Sequence, residues 1–176
     1  MPPTIPVELR EYDPVWSIQA QDEAMRIATA VGGVVIAVHH IGSTAIPGIR
    51  AKPILDLMPV VVDLEEFEKA RSTIEGLGYA WWGEYGLPGR RYCTWDDPPT
   101  GLRKIQLHSY ECGSPEISRH LAFRDYLRAR PDLAREYEAE KCRCQALNPL
   151  DSHAYSDCKN AWIRRIEANA LSNQRS

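Results

Sequence analysis

Five residues between positions 42 and 56 have the types and spacing of a site for a phosphorylated ligand. Gly42 has no side chain, so a ligand can approach its backbone, and the N–H groups of Ser43 and Thr44 can face an anion. Lys52 adds a mobile positive charge, and the carboxylate of Asp56 could hold a hard cation such as Mg²⁺ or Mn²⁺. These residues predict binding of a phosphorylated small molecule or nucleotide.

Two apolar segments, residues 34–38 and 54–62, flank this group and are rich in valine and isoleucine. Both are predicted to be buried strands, so a glycine–serine turn leaves one strand and Lys52 and Asp56 arrive as the next begins. The alternative is a turn that binds nothing, because Pro47-Gly48 is a common turn pair and the spacing is not a full P-loop pattern.

Residues 40–56 also match the pattern H-x-G-S-T-[SA]-[VI]-P-G-[LI]-x-x-K-P-[IL]-[IL]-D at every element. Downstream lie a Leu-His pair ending in His108, the run F-R-D-Y-L-R at 123–128, and two Y-x-x-x-K pairs. In these features the sequence resembles the GrpB family over residues 6–168.

The resemblance implies the nucleotidyltransferase superfamily, whose best known member is DNA polymerase beta. That superfamily has a hydrophobic-Gly-Ser strand end, then a strand with Asp-x-Asp, and a third carboxylate on a neighbouring strand. The first part matches at residues 41–43, but Met58 stands at the second carboxylate, and the later strand offers Gln106 and His108. Two divalent ions need several anionic oxygens, so Asp56 is expected to hold at most one Mg²⁺ or Mn²⁺.

Residue chemistry and the resemblance together predict a site with three catalytic candidates: Asp56, His108 and Lys52. Period-two alternation places Gln106 and His108 on one strand face, so His108 is expected to face the same cleft as Asp56 and to contact a metal or a phosphate. The predicted ligand-binding residues are Gly42, Ser43, Thr44, Arg91, Arg124, Lys141, Lys159, His40 and Tyr155.

Each outlying candidate also has a structural alternative. Arg91 could be an exposed arginine, and Arg124 could form a salt bridge with a helix neighbour or with Asp56 instead of clamping a phosphate or a carboxylate with Arg128. The two Tyr-Lys pairs could be amphipathic packing with the amines reaching water. Only one of His39 and His40 can point into the cleft, and His40, which belongs to the motif, is the prediction, with a buried histidine as the alternative.

The composition is that of a single soluble domain covering residues 1–176, with a frayed tail at about 172–176. The formal net charge of −3 does not indicate nucleic acid as a partner. Neither a membrane span nor a secretory leader is visible, so a cytoplasmic location is expected. The five cysteines lack the spacing of a disulfide framework or a zinc site, which predicts thiols in a reducing compartment. Oligomeric state is left open.

The order of elements predicts an α+β domain with a nucleotidyltransferase-like mixed β-sheet, flanking helices and a helical C-terminal third. Helices are expected at about 13–31 and 63–77, and three more after residue 114, with breaks at Pro131 and at residues 148–151. Further strands are expected at 79–82, 90–95 and 104–110.

Two functions remain open from the sequence. The first is a nucleotidyltransferase-like protein that binds a nucleotide or another phosphorylated small molecule and could transfer a nucleotidyl group with one divalent metal. The second is a catalytically inactive binding or accessory module that retains the fold, which the missing carboxylates favour. The sequence contains no H-E-x-x-H, G-x-G-x-x-G or Walker lysine motif, so zinc-protease, dinucleotide and P-loop chemistry are not indicated.

Overall fold

The computed structural model describes residues 2–174 and contains one mixed β-sheet of five strands in the order β1-β2-β5-β4-β3. Strands β2 and β5 pair in parallel, and every other neighbouring pair is antiparallel. The parallel pair places the start of β2, with Asp56, beside the start of β5. The strands are Val35–Ile41 (β1), Leu55–Val61 (β2), Ala80–Trp81 (β3), Arg90–Asp96 (β4) and Arg103–Glu111 (β5).

The helices confirm the α+β class and the helical C-terminal third. Single 3₁₀ turns cover Gly32–Val34 and Ser43–Ala45. Within the described residues the α-helices are Val15–Val31 (α1), Leu64–Lys69 (α2), Arg71–Gly76 (α3), Pro115–Arg128 (α4), Pro131–Leu147 (α5) and Ser152–Gln174 (α6).

One predicted helix is divided in the structure. The segment 63–77 is two short helices, because the chain breaks at Ala70, whose ψ of 2° is not helical. At the C-terminus α6 continues through Gln174, residues 175–176 lie outside the described residues, and fraying of the tail stays a prediction. The predicted helix start at Asp63 is confirmed, since its carboxylate accepts hydrogen bonds from the backbone N–H groups of Glu65 and Glu66. The first helix begins at Val15, one residue later than the predicted start at Pro14.

Strand alternation separates the two faces of the sheet. On the back face Leu57, Leu107 and Cys93 are fully buried in the main core, which also contains residues of α1, α2 and α3. On the front face Met58 and Tyr110 pack against α4. Because successive strand residues point to opposite faces, this packing turns Asp56, Gln106 and His108 to the front, beneath the C-terminal helices.

A disulfide joins Cys144 in α5 to Cys158 in α6, which corrects the prediction that the cysteines are all thiols. The sequence separation of 14 gave no framework pattern, but the two helices are connected by a short turn and pack side by side, so their Cα atoms lie 5.7 Å apart. Cys93, Cys112 and Cys142 are free.

No helix within residues 2–174 combines the length and the apolar character that crossing a membrane requires.

Candidate functional site

The predicted glycine–serine loop runs between β1 and β2, and Gly42 is its tightest point. Its φ of 71° and ψ of −170° lie in a region that glycine adopts with ease and side-chain-bearing residues avoid. A Cβ atom placed at Gly42 would overlap the Oδ2 atom of Asp56 and lie 3.0 Å from its Cβ and Cγ atoms. The absence of a side chain at Gly42 is therefore what allows the Asp56 carboxylate to occupy its position.

Two arginines of α4 hold the backbone of this loop. Arg124 donates a hydrogen bond from Nη1 to the carbonyl oxygen of His40 at 3.0 Å, and Arg128 donates from Nε to the carbonyl of Ala45 at 2.7 Å. Arg124 also pairs with Asp125. The predicted arginine pair therefore closes on the loop backbone, and Arg124 is engaged with protein oxygens, while its contact with a phosphate stays a prediction.

Asp56 and His108 face each other across the β2–β5 pair, which confirms the predicted orientation of His108. The Nε2 atom of His108 lies 3.2 Å from Oδ1 of Asp56. Burial alone would raise the pKa of Asp56, but the His108 hydrogen bond and the charges of Lys52 and Lys159 outweigh it and lower that pKa. Asp56 is therefore a carboxylate at neutral pH, with a histidine as its hydrogen-bond partner.

A small cavity of about 120 Å³, here called the inner compartment, lies beside this pair. The side chains of Lys52 and Lys159 both stand over the ring of Tyr155, with Nζ atoms 5.4 and 4.2 Å from its centroid. Such contacts stabilise ammonium groups that have left bulk water. The lining residues are Ser43, Thr44, Lys52, Ile54, Asp56, Gln106, Tyr155, Ser156 and Lys159.

Burial disfavours the charged ammonium form of the two lysines in the inner compartment. Burial, together with the charges of Lys52 and Lys141, lowers the pKa of Lys159 to about 7. Burial also lowers the pKa of Lys52, and Asp56 only partly opposes this. Positive charge is thus concentrated in a small, partly dehydrated space with insufficient negative charge to balance it.

Lys141 lies elsewhere, which corrects its predicted role in phosphate binding. Its side chain is 1% exposed, and its ammonium donates a hydrogen bond to the carbonyl oxygen of Arg50. It also stands 4.8 Å from the ring centroid of Tyr137. Lys141 therefore anchors the chain that leads to Lys52. Its partner Tyr137 contacts the site indirectly, because its hydroxyl accepts a hydrogen bond from Ser43.

His40 supports the site without lining it. It pairs in register with Leu57, a back-face core residue, so the prediction that it points into the cleft is wrong. Its Nε2 atom lies 2.8 Å from the hydroxyl oxygen of Thr44, which does line the inner compartment. Burial lowers the pKa of His40 to about 4, so the ring is neutral at pH 7 and orients Thr44 as a neutral hydrogen-bond partner.

Arg91 also lies on the wrong face. It has the strand parity of the core residue Cys93, and its guanidinium pairs with Glu68 at 2.6 Å and with Glu84 at 3.6 Å on the back of the sheet. Arg90 points to the front instead, where its side chain is 4.8 Å from the ring centroid of Tyr92. The sequence predicts that one of the two adjacent arginines faces the cleft. The predicted residue was Arg91, whereas the structure turns Arg90 to that face.

Comparison with known proteins agrees with this architecture. The family model described as "GrpB protein" matches residues 6–169. The chain belongs to the GrpB family. Its sequence is 39% identical over 164 residues to the UPF0157 protein YqkA of Bacillus subtilis, covering 93% of this chain and 47% of YqkA. It therefore spans about half the length of that relative.

Two further relatives cover more of their own length. The UPF0157 protein PA4798 of Pseudomonas aeruginosa is 34% identical over 167 residues, which cover 94% of this chain and 68% of that protein. The crystal structure of the conserved protein GrpB from Enterococcus faecalis superimposes with a TM-score of 0.88 at 35% identity, over 96% of this chain and 100% of that one. These relatives establish the family and the fold.

Two residues of this GrpB-family site were missed as candidates. Gln106 lines the inner compartment between Asp56 and the helices, and the alternation that selected His108 also applied to it. Ser156 lies three residues before Lys159 in α6, so helical spacing placed both on one face and could have identified it.

The described residues offer a poor cage for a metal at Asp56. Within residues 2–174, the one group of three neighbouring His, Cys, Asp or Glu side chains is Glu140, Cys144 and Cys158, whose two sulfur atoms form the disulfide. In this part of the chain Asp56 and His108 form a pair that no third such side chain completes. The residues present therefore do not fit a two-metal centre.

Proposed function

We propose that this protein binds the phosphate group of a small molecule or nucleotide in the inner compartment. The observation that carries the proposal is the unbalanced charge, since the described lining residues include two lysines and one carboxylate, that of Asp56. A bound dianionic phosphate would compensate the ammonium groups of Lys52 and Lys159 at the point where burial opposes their charge. The hydroxyl groups of Ser43 and Thr44 would complete its hydrogen bonds.

The catalytic form of this proposal is nucleotidyl transfer, with Asp56, His108 and Lys52 as the candidates. A hydroxyl acceptor beside the Asp56–His108 pair would lose its proton to that pair and form a bond to the α-phosphorus of a nucleoside triphosphate, whose bond to the leaving pyrophosphate breaks. Lys52 and Lys159 would stabilise the charge on the phosphoryl oxygens. One Mg²⁺ or Mn²⁺ on Asp56 would be the metal arrangement that the carboxylate count allows.

The competing function is a binding module without turnover. Its supporting observation is that Met58, the residue two positions after Asp56, is fully buried against α4 and offers no carboxylate. Both functions require the phosphate site, and they differ in whether the bound ligand is chemically changed.

Replacing Lys159 with methionine tests the phosphate site. We expect the affinity for AMP and for ribose 5-phosphate, measured by isothermal titration calorimetry, to fall about 10- to 100-fold, because a charge-assisted hydrogen bond to phosphate is lost. The free energy of unfolding should not fall, since burial already opposes the Lys159 charge.

The matched control is Lys69→Met, which removes the same charge from an exposed side chain of α2 that pairs with Glu66. We expect it to leave both affinities unchanged. Equal affinities in the wild type and Lys159→Met would contradict the proposal, as would complete failure of the wild type to bind either phosphate.

Metal binding tests the carboxylate count, and metal-dependent turnover separates the two functions. With one carboxylate at the site, calorimetry of the free protein should show no more than one weak Mg²⁺ or Mn²⁺ site at Asp56, and Asp56→Asn should remove it. Two tight sites in the free protein would overturn this assignment and support two-metal catalysis. Metal-dependent release of pyrophosphate from radiolabelled ATP would establish transfer, and binding without release would favour the module.

A further inference from the structure

A second cavity of about 430 Å³, here called the outer compartment, adjoins the inner one on the front of the sheet. Lys52, Gln106 and Ser156 line both cavities, so the two compartments are direct neighbours that share these side chains. His108 lies on the outer side of this junction and Asp56 on the inner side. A ligand with its phosphate in the inner compartment would therefore extend past the Asp56–His108 pair into the outer one.

The outer compartment differs in character from the inner one because aromatic and apolar groups contribute to its wall. Pro2, Ile5, Leu87 and two tyrosines line it, together with cationic side chains and with polar groups from the first turns of α6. Two of these cations are already engaged with protein oxygens, since Arg90 donates to backbone carbonyl oxygens and Arg103 pairs with Asp96. Its volume is more than three times that of the inner compartment. These features suit the organic part of a ligand better than a second phosphate group.

Tyr85 is the most unusual residue of this wall. Its φ of 45° is the one positive value among the non-glycine residues that the structure describes, and a bulky side chain disfavours that conformation. Backbone strain of this kind is retained where surrounding contacts enforce it and is frequent at ligand sites.

Contacts with Arg90 and Tyr92 hold Tyr85 in this conformation. Its guanidinium donates hydrogen bonds to the carbonyl oxygens of Glu84 at 3.2 Å and Tyr85 at 2.7 Å. The ring of Tyr85 stacks on that of Tyr92 at 5.3 Å with an interplanar angle of 17°. Tyr92 in turn contacts the His108 ring, also at 5.3 Å. A row of rings thus leads from the Asp56–His108 pair to the strained tyrosine.

We propose that Tyr85 is a stacking platform for an aromatic ring, so that the cleft selects phosphate esters of nucleobase-like ring compounds over sugar phosphates. This inference rests on the proposed function, because the phosphate in the inner compartment fixes the position of the ring. Ser156 and Gln106, at the junction, are placed to form hydrogen bonds with the hydroxyl groups of the sugar that connects phosphate and base in a nucleoside monophosphate.

The test compares ligands that share a phosphate and differ in the ring. Calorimetry of the full chain with AMP, UMP and ribose 5-phosphate should give at least one nucleotide an affinity about 10-fold above that of the sugar phosphate, since one stacked base contributes that order of binding. Tyr85→Leu should remove this advantage and leave the affinity for ribose 5-phosphate unchanged. Tyr85→Phe retains the ring and should keep the advantage.

Tyr85→Gly separates loss of the ring from relief of strain. It should bind like Tyr85→Leu but have a higher melting temperature than that variant, because glycine adopts the positive φ freely. Wild-type binding of ribose 5-phosphate as tight as that of both nucleotides would overturn the stacking proposal and leave the phosphate site intact. Absence of binding by all three ligands would overturn both proposals.

Discussion

Replacing Gly42 with valine is expected to abolish binding of AMP and ribose 5-phosphate and to lower the free energy of unfolding by about 1–3 kcal/mol or more. Two effects combine in this variant. The backbone at Gly42 is forced into a conformation that valine avoids, and the new Cβ atom overlaps the Asp56 carboxylate. The carboxylate must then move away from His108. Thermal denaturation and calorimetric titration would measure the two losses.

Gly48→Val provides a matched control for the backbone effect. Gly48 has a similar φ of 79°, but a Cβ atom there meets no other atom within 4 Å. This variant should lose stability through backbone strain and still bind both phosphates. Should Gly42→Val fail to fold, Gly42→Ala tests the same overlap with a smaller side chain. A folded Gly42 variant with wild-type affinity would show that the loop is only a turn.

The affinity for AMP is expected to fall as the pH rises above about 7, by up to about tenfold per pH unit for each proton taken up. The pKa of Lys159 is lowered to about 7 in the free protein, chiefly by burial. A bound phosphate favours the ammonium form of Lys159 and raises that pKa. Above pH 7, ligand binding is therefore coupled to the uptake of a proton by Lys159. The AMP phosphate is already dianionic there and contributes little to the change.

The stability of the free protein should have the opposite pH dependence. The pKa of Lys159 is lower in the folded state than in the unfolded chain, where it is near its ordinary value of 10.5. Between about pH 7 and that value the unfolded chain binds more protons, so the free energy of unfolding rises with pH. Lys141, also lowered to about 7 by burial, adds to this trend.

Calorimetry in two buffers of different ionisation enthalpy would count the protons directly. We expect net proton uptake on AMP binding at pH 8 in the wild type and a smaller uptake in Lys159→Met. Proton release, or an uptake that is identical in the two proteins, would contradict the assignment of Lys159 to the phosphate.

The centre of the site could be predicted from sequence because its geometry is local. Residues 40–56 run from the end of β1 through the connecting loop to the start of β2, and these two strands pair, so Gly42 and Asp56 are brought together by neighbouring segments. The position of His108 depended on one additional rule, the alternation of side chains along a strand. That rule was enough because the apolar partners Ile105 and Leu107 identified the core face.

The outlying residues could not be placed in this way. Arg90 and Arg91 are adjacent, and alternation separates their faces without saying which one meets the cleft. Lys141 and Lys159 occupy equivalent positions in two Tyr-Lys pairs, yet one binds a backbone carbonyl and the other lines the cavity. The difference depends on how α5 and α6 rotate against the sheet, which is a property of tertiary packing.

The disulfide between α5 and α6 makes the structure around the site dependent on the redox conditions to which the protein has been exposed. Cys158 directly precedes Lys159, and Cys144 lies one turn after Lys141, so the bond ties together the two helices that carry the buried ammonium groups. Reduction would leave the short turn at 148–151 and non-covalent packing to hold them. Protein purified with a reducing thiol and protein purified without it can therefore differ in the positions of the buried lysines. The number of free thiols should be titrated whenever ligand affinities of two preparations are compared.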